Sequence, residues 1–250
     1  MAENRELKTV GAEKKNPRRT AKVCEYLPYS GREAFKRLRT NVLISLENEE
    51  ERKCRIIGIT SAQPSEGKST SSVNLAYSLA ELGNKVLLID CDMRRPAVNE
   101  IVGAALAPGL SDILEGRSNL NDTPIRYKST TDGTSFDIIP GGEIPEHPAE
   151  LLNSNRFKKL LEVVSTAFDY IVLDLPPVNA VIDAVNVSRN VDGMLVVIRE
   201  NHCPRYVLVE CMEQLRYAKA NVLGFVMNGC IEGAGKHYQY KNQPYYRKEQ

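Results

Sequence analysis

Apolar residues along this chain gather in short runs separated by polar, glycine-marked breaks. Arg55–Thr60 (RIIGIT), Lys85–Asp90 (KVLLID), Phe136–Pro140, Tyr170–Asp174, Gly193–Arg199 and Val222–Asn228 are near-continuously apolar over a few residues, the pattern of strands covered on both faces. Between them the spacing predicts helices over 68–82 (stopped by Gly83), 154–166, 180–188 and 204–218. An earlier helix over 32–47 carries Phe35, Leu38, Val42 and Leu46 on one stripe. Strands alternating with helices predict an α/β fold, with a mostly parallel central sheet flanked by helices. Segment 103–135, rich in Gly, Pro, Ser, Thr and Asp, predicts surface loops with one short helix near 110–114. The chain divides into a basic flexible N-terminal tail (1–30), a folded domain (31–232) and a tyrosine-rich flexible C-terminal tail (233–250).

Composition narrows the class. A chain of 250 residues with 42% hydrophobic content builds one sizeable core. The net charge of +1 gives no reason to expect a nucleic-acid partner. Positive charge concentrates in the first 22 residues, where Arg5, Lys8, Lys14, Lys15, Arg18, Arg19 and Lys22 face only Glu3, Glu6 and Glu13. On composition alone this arm reads as solvated; an anionic membrane surface is the other reading. No apolar run approaches the ~20 residues that span a bilayer, and no signal-peptide core is present, so a cytoplasmic protein is expected. The cysteines at 24, 54, 91, 203, 211 and 230 show no metal-ligand spacing, which favours reduced thiols.

Chemistry concentrates at strand ends. Ser61-Ala62-Gln63-Pro64-Ser65-Glu66-Gly67-Lys68-Ser69-Thr70 lies between a predicted strand and a predicted helix, the setting of a phosphate-binding loop. Its backbone N–H groups and the helix N-terminus suit anionic phosphate. Ser65, Glu66, Gly67, Lys68, Ser69 and Thr70 are the candidate nucleotide contacts, with Lys68 reaching the β/γ-phosphates and the Ser69 hydroxyl on Mg²⁺. Ala62 stands where the general pattern has its first glycine. Asp90 and Asp92, with Arg94, follow one apolar run, and Asp174, with Pro176 and Pro177, ends another. Alone, each aspartate reads as a turn or cap residue. Together they converge with the loop, because open parallel sheets bind ligands beyond their carboxyl ends. Arg199 and Asn228, ending the last two strands, are placed as nucleotide contacts by position.

The phosphate loop, the Asp90-x-Asp92-x-Arg94 element and the Asp174-x-Pro176-Pro177 element together resemble the three Walker-type motifs of the bacterial tyrosine kinases that regulate capsule and exopolysaccharide synthesis. Pro64 matches that family's loop. Glu33-Ala34-Phe35-Lys36-Arg37-Leu38-Arg39 is similar to its E-x-x-R-x-x-R helix, with Lys36 in place of the middle arginine. Pro145-Glu146-His147-Pro148-Ala149-Glu150-Leu151-Leu152 is similar to its P-P-N-P-x-E-L-L stretch. The resemblance runs over about residues 26–250.

It implies a P-loop NTPase fold of the MinD/ParA type and transfer of the ATP γ-phosphoryl group to tyrosine, with ATP and Mg²⁺ as cofactors. Catalysis is expected from Lys68, Asp90, Asp92 and Asp174. Asp90 is the best candidate proton acceptor, though the choice between it and Asp92 stays open. Ser69, Asp92 and Asp174 are expected at the metal, partly through water. Tyr238, Tyr240, Tyr245 and Tyr246 are the expected phosphoacceptors, and Glu33, Lys36 and Arg39 the expected seam of a homo-oligomeric ring. The implied partners are a membrane-embedded activator that holds the chain at the inner membrane face, protein tyrosine substrates and a cognate phosphatase. Two alternatives compete: a MinD/ParA-type positioning ATPase, and a nucleotide-dependent scaffold for polysaccharide export. The positioning ATPases carry lysine where this loop has Gln63, which argues against the first.

Overall fold

The computed structural model describes residues 8–10, 23–47 and 53–230. An eight-stranded sheet has the order β1-β4-β5-β3-β6-β2-β7-β8. The strands are β1 (Lys8–Val10), β2 (Arg55–Ser61), β3 (Val86–Asp90), β4 (Ile125–Lys128), β5 (Ser135–Ile139), β6 (Tyr170–Asp174), β7 (Gly193–Arg199) and β8 (Val222–Asn228). Neighbours pair in parallel except β4 against β5; β1 follows β4. The central strands are buried on both faces, which is why their sequences run apolar without alternation.

Helices cover both faces. On one lie α1 (Tyr29–Leu46), α2 (Lys68–Ala80) and α3 (Val98–Val102), whose Val42, Leu75, Leu79 and Val98 pack with Ile57, Ile59, Leu88 and Val197. On the other lie α4 (Leu110–Glu115), α5 (Pro148–Leu152), α6 (Asn155–Val164), α7 (Asp183–Val187) and α8 (Arg205–Tyr217). They pack against Leu87, Ile89, Ile171, Leu173 and Val196. Helix α6 shows the logic locally: Ser154 caps it by accepting the Phe157 N–H at 3.2 Å, and Phe157, Leu160, Leu161 and Val164 bury one stripe.

The structure corrects three expectations. Parts of the segment read as an N-terminal tail join the fold: Lys8–Val10 adds a strand beside β4, and Val23 and Cys24 are buried against the core around α2. Glu25 anchors that entry, its carboxylate accepting the Tyr127 hydroxyl, the Ser129 hydroxyl (3.0 Å) and the Thr130 N–H (3.1 Å). Segment 103–135 is not all loop, because β4 alternates buried Ile125 and Tyr127 with exposed Arg126 and Lys128. Helices α3 and α5, five residues each, also went unread, being too short to establish a period. Among the described residues no helix is long and apolar enough to cross a membrane.

Candidate active site

The phosphate loop is shaped by its own side chains. Thr60 donates its hydroxyl to the Pro176 carbonyl (2.7 Å), and Ser61 to that of Gln63 (2.8 Å). Glu66 turns inward, its Oε2 accepting the Gln63 N–H at 3.0 Å. Ser65 and Gly67 take φ of 66° and 94°, a left-handed turn that delivers the chain into α2. At Gly67 a side chain is excluded twice, by that φ and by Asn228, whose Nδ2 would lie 2.0 Å from a Cβ. The start of α2 opens onto a cleft of about 600 Å³, bounded by Ser65, Gly67, Lys68, Ser69, Thr70 and Asp92. Pro176, Pro177 and Ala180 form part of its apolar wall.

Adjacent strands bring the acids together. Parallel pairing sets Asp90 of β3 beside Asp174 of β6. The Lys68 Nζ lies 2.7 Å from Asp92 Oδ2, 3.9 Å from Asp174 Oδ2 and 3.4 Å from the Ser69 hydroxyl. The Ser72 hydroxyl donates to Asp174 Oδ1 at 3.0 Å. Burial works against the charge on Lys68, but Asp174 and Asp92 outweigh it and hold the ammonium above the usual lysine value. Burial pushes Asp174 up, opposed by Lys68. Burial and then Asp174 push Asp90 up, opposed by Lys68 and by backbone N–H groups.

This arrangement fits a divalent cation. One ammonium lies within 4 Å of two buried carboxylates, those of Asp92 and Asp174, and Asp174 Oδ2 is buried without a hydrogen-bond donor. No ready-made cluster of three or more His, Cys, Asp or Glu ligands exists among the described residues.

Other expected residues sit differently. Asp90 does not line the cleft: its Oδ1 accepts the Asp92 N–H (3.1 Å), and its Oδ2 those of Ala97 (3.0 Å) and Val98 (3.1 Å). Glu66, Arg199 and Asn228, expected at the nucleotide, are also absent from the cleft wall, as is the fully buried Asp174, expected at the metal. Arg94 lines the cleft but forks onto the buried Asp183, with Nε donating at 2.9 Å. Of the expected oligomer seam, Lys36 pairs with Glu33 within α1 (3.0 Å). Arg39 donates to the Ser78 carbonyl (2.6 Å) and approaches Glu81 (3.3 Å), binding α1 to the end of α2. Tyr238, Tyr240, Tyr245 and Tyr246 lie outside the described residues. Ser72 and Asp183 went unread in the sequence; a serine one turn inside a helix and an aspartate in the first turn of a short one carry no local signal of a distant partner.

Comparison with known proteins supplies the lineage. A family model described as an AAA domain matches residues 54–220. Tyrosine-protein kinase CpsD of Streptococcus agalactiae is 32% identical over 211 residues, covering 84% of this chain and 88% of the relative. Tyrosine-protein kinase YwqD of Bacillus subtilis (strain 168) is 34% identical over 208 residues, with coverage of 83% and 84%. Among solved structures, the kinase domain of Escherichia coli tyrosine kinase ETK superposes with a TM-score of 0.73 at 34% identity, covering 84% of this chain and 80% of that one. With relatives of this identity matched along most of their length, the chain belongs to the bacterial tyrosine kinase family.

Proposed function

We propose that this chain transfers the γ-phosphoryl group of ATP to tyrosine hydroxyls, its own C-terminal Tyr238, Tyr240, Tyr245 and Tyr246 among them, and so regulates capsular or extracellular polysaccharide synthesis. One observation carries the reading: Lys68, Ser69 and Asp92 line a single cleft at the start of α2, and the buried Asp174 lies behind them, 3.9 Å from the Lys68 Nζ. Phosphoryl transfer needs in-line positioning and neutralised charge more than covalent help from the protein. The N–H groups opening α2 and the Lys68 ammonium hold the phosphates, while Ser69, Asp92 and Asp174 hold Mg²⁺ directly or through water. Bound there, the metal neutralises charge on the transferring phosphoryl group. One of two aspartates accepts the tyrosine proton: Asp90, which is buried and holds the Asp92 N–H, or Asp92, which lies on the cleft wall.

The acceptor tyrosines come from a neighbouring copy in a ring, since one tail cannot present all four to its own site at once. Glu33 and Lys36 remain candidates for that seam. A membrane-embedded activator places the chain at the inner membrane face and raises its activity, and a phosphatase reverses the modification. Incubating the purified chain with Mg·ATP, alone and with such an activator, and blotting for phosphotyrosine tests the reading. Signal is expected from the wild type and none from Lys68→Met. ATP turnover without phosphotyrosine under every condition returns the chain to the positioning ATPases. Signal surviving in a Tyr238/240/245/246→Phe variant overturns the tail assignment alone.

A further inference from the structure

On the side of the phosphate loop away from the cleft, β8 ends at Asn228. The amide of this residue is held in one orientation. The Gly229 N–H donates to its Oδ1 at 2.9 Å, which leaves Nδ2 to donate to the Glu66 carbonyl at 2.8 Å. Its backbone carbonyl accepts the Glu200 N–H at 2.9 Å, tying it to the end of β7. The same amide fills the space behind Gly67 that a side chain there would occupy. Glu66 itself is fully buried and holds the Gln63 N–H, so the carbonyl that Asn228 grips belongs to an anchored residue of the loop.

A trans peptide sends its C=O and the following N–H in opposite directions. Holding the Glu66 oxygen toward β8 therefore directs the Gly67 N–H away from β8, and Gly67 lines the cleft. We infer that Asn228 is a positioning residue for phosphoryl transfer rather than a contact to the nucleotide base: it sets the Glu66–Gly67 peptide so that the loop's N–H groups face the phosphates. The position is also where the chain leaves the sheet toward its C-terminal tyrosines, so the root of that segment and the phosphate loop share one hydrogen bond. The inference rests on the cleft being a triphosphate site.

The test compares wild type, Asn228→Asp and Asn228→Ala for binding of Mg·ATP, Mg·GTP and inorganic triphosphate, by competition with a fluorescent ATP analogue. Asn228→Asp keeps the size and the Gly229 bond but replaces the donating amide with a carboxylate oxygen facing the Glu66 carbonyl. Both variants are expected to lose about tenfold in affinity for ATP and for inorganic triphosphate alike, with the ATP-to-GTP ratio unchanged. Loss for ATP with triphosphate binding intact makes Asn228 a base contact and overturns the inference. So does wild-type behaviour of Asn228→Asp, which would leave Asn228 a packing role only. A wild type that binds neither ATP nor triphosphate removes the phosphate site itself, and the proposed function with it.

Discussion

Lys68 sits among more negative charge than one ammonium offsets. Asp174 is fully buried, and its burial disfavours the charged carboxylate that the site needs. Functional sites often hold such charge at the expense of stability. Asp174→Asn is therefore expected to keep or raise the thermal midpoint of the nucleotide-free protein while phosphotyrosine formation falls at least ~100-fold. Parallel melting curves and kinase assays check both halves, and a lower midpoint would mean that Lys68 relies on Asp174 more than burial opposes it. The Arg94–Asp183 fork belongs to the same scale, since it joins the loop after β3 to the start of α7.

At the scale of elements, close packing in the sheet and caps on short helices decide what is tolerated. Gly58 lies in central strand β2, where a Cβ would stand 2.4 Å from Met194 Sδ and 3.1 Å from Leu175 Cδ1. Gly58→Ala is expected to cost roughly 1–3 kcal/mol by overpacking, read from denaturant unfolding, and Met194→Val in the same chain should recover part of it. Helix α4 depends on Asp112, whose Oδ2 accepts the Gly109 N–H at 2.9 Å and whose Oδ1 faces Arg117. Burial alone would raise its pKa, but the Gly109 N–H and Arg117 outweigh burial and hold it below the ordinary value. A depressed folded-state pKa stabilises above the unfolded value, about 3.9, and that stabilisation is lost as pH falls through the folded one. Asp112→Asn should thus be less stable than wild type near neutral pH by about 1–3 kcal/mol, the gap closing below pH ~4 in melts run across the acid range.

For the whole molecule, the order of strands brings the chemistry to one edge. Placing β6 between β3 and β2 sets Asp174 beside Asp90, both buried at the carboxyl ends of their strands, with β6 next to the strand that feeds the phosphate loop. Assembly is the other question at this scale. Arg39 is committed within the protomer, so Arg39→Ala should lower the thermal midpoint of the chain by the equivalent of about 1–2 kcal/mol. Glu33→Ala with Lys36→Ala removes only a half-exposed pair within α1, worth a few tenths of a kcal/mol. If α1 forms the ring seam, that double variant changes the mass seen by light scattering while melting as wild type does. Unchanged mass would move the seam elsewhere.

How much was legible follows from the range of each signal. Long apolar runs mark β2, β3, β6 and β7, because strands buried on both faces must be apolar throughout; β8 is as apolar although, at the sheet edge, it leaves Phe225 and Met227 exposed, and the loop from Ser61 to Thr70 declares itself through local backbone needs. Lys68, Ser69, Asp92 and Asp174 were readable as a set for the same reason: each ends or follows such an element. The sequence could not say that β1 and β4 extend the sheet, since three or four residues carry too little period. Nor could it say that Arg94 and Arg39 are taken up by Asp183 and the end of α2, or that Asp90, Asp174, Glu66 and Asn228 stand behind the cleft wall rather than in it. Residue type and spacing declare what a side chain can do; only the fold, by joining positions up to 162 residues apart as Asn228 joins Glu66, decides which partner it meets.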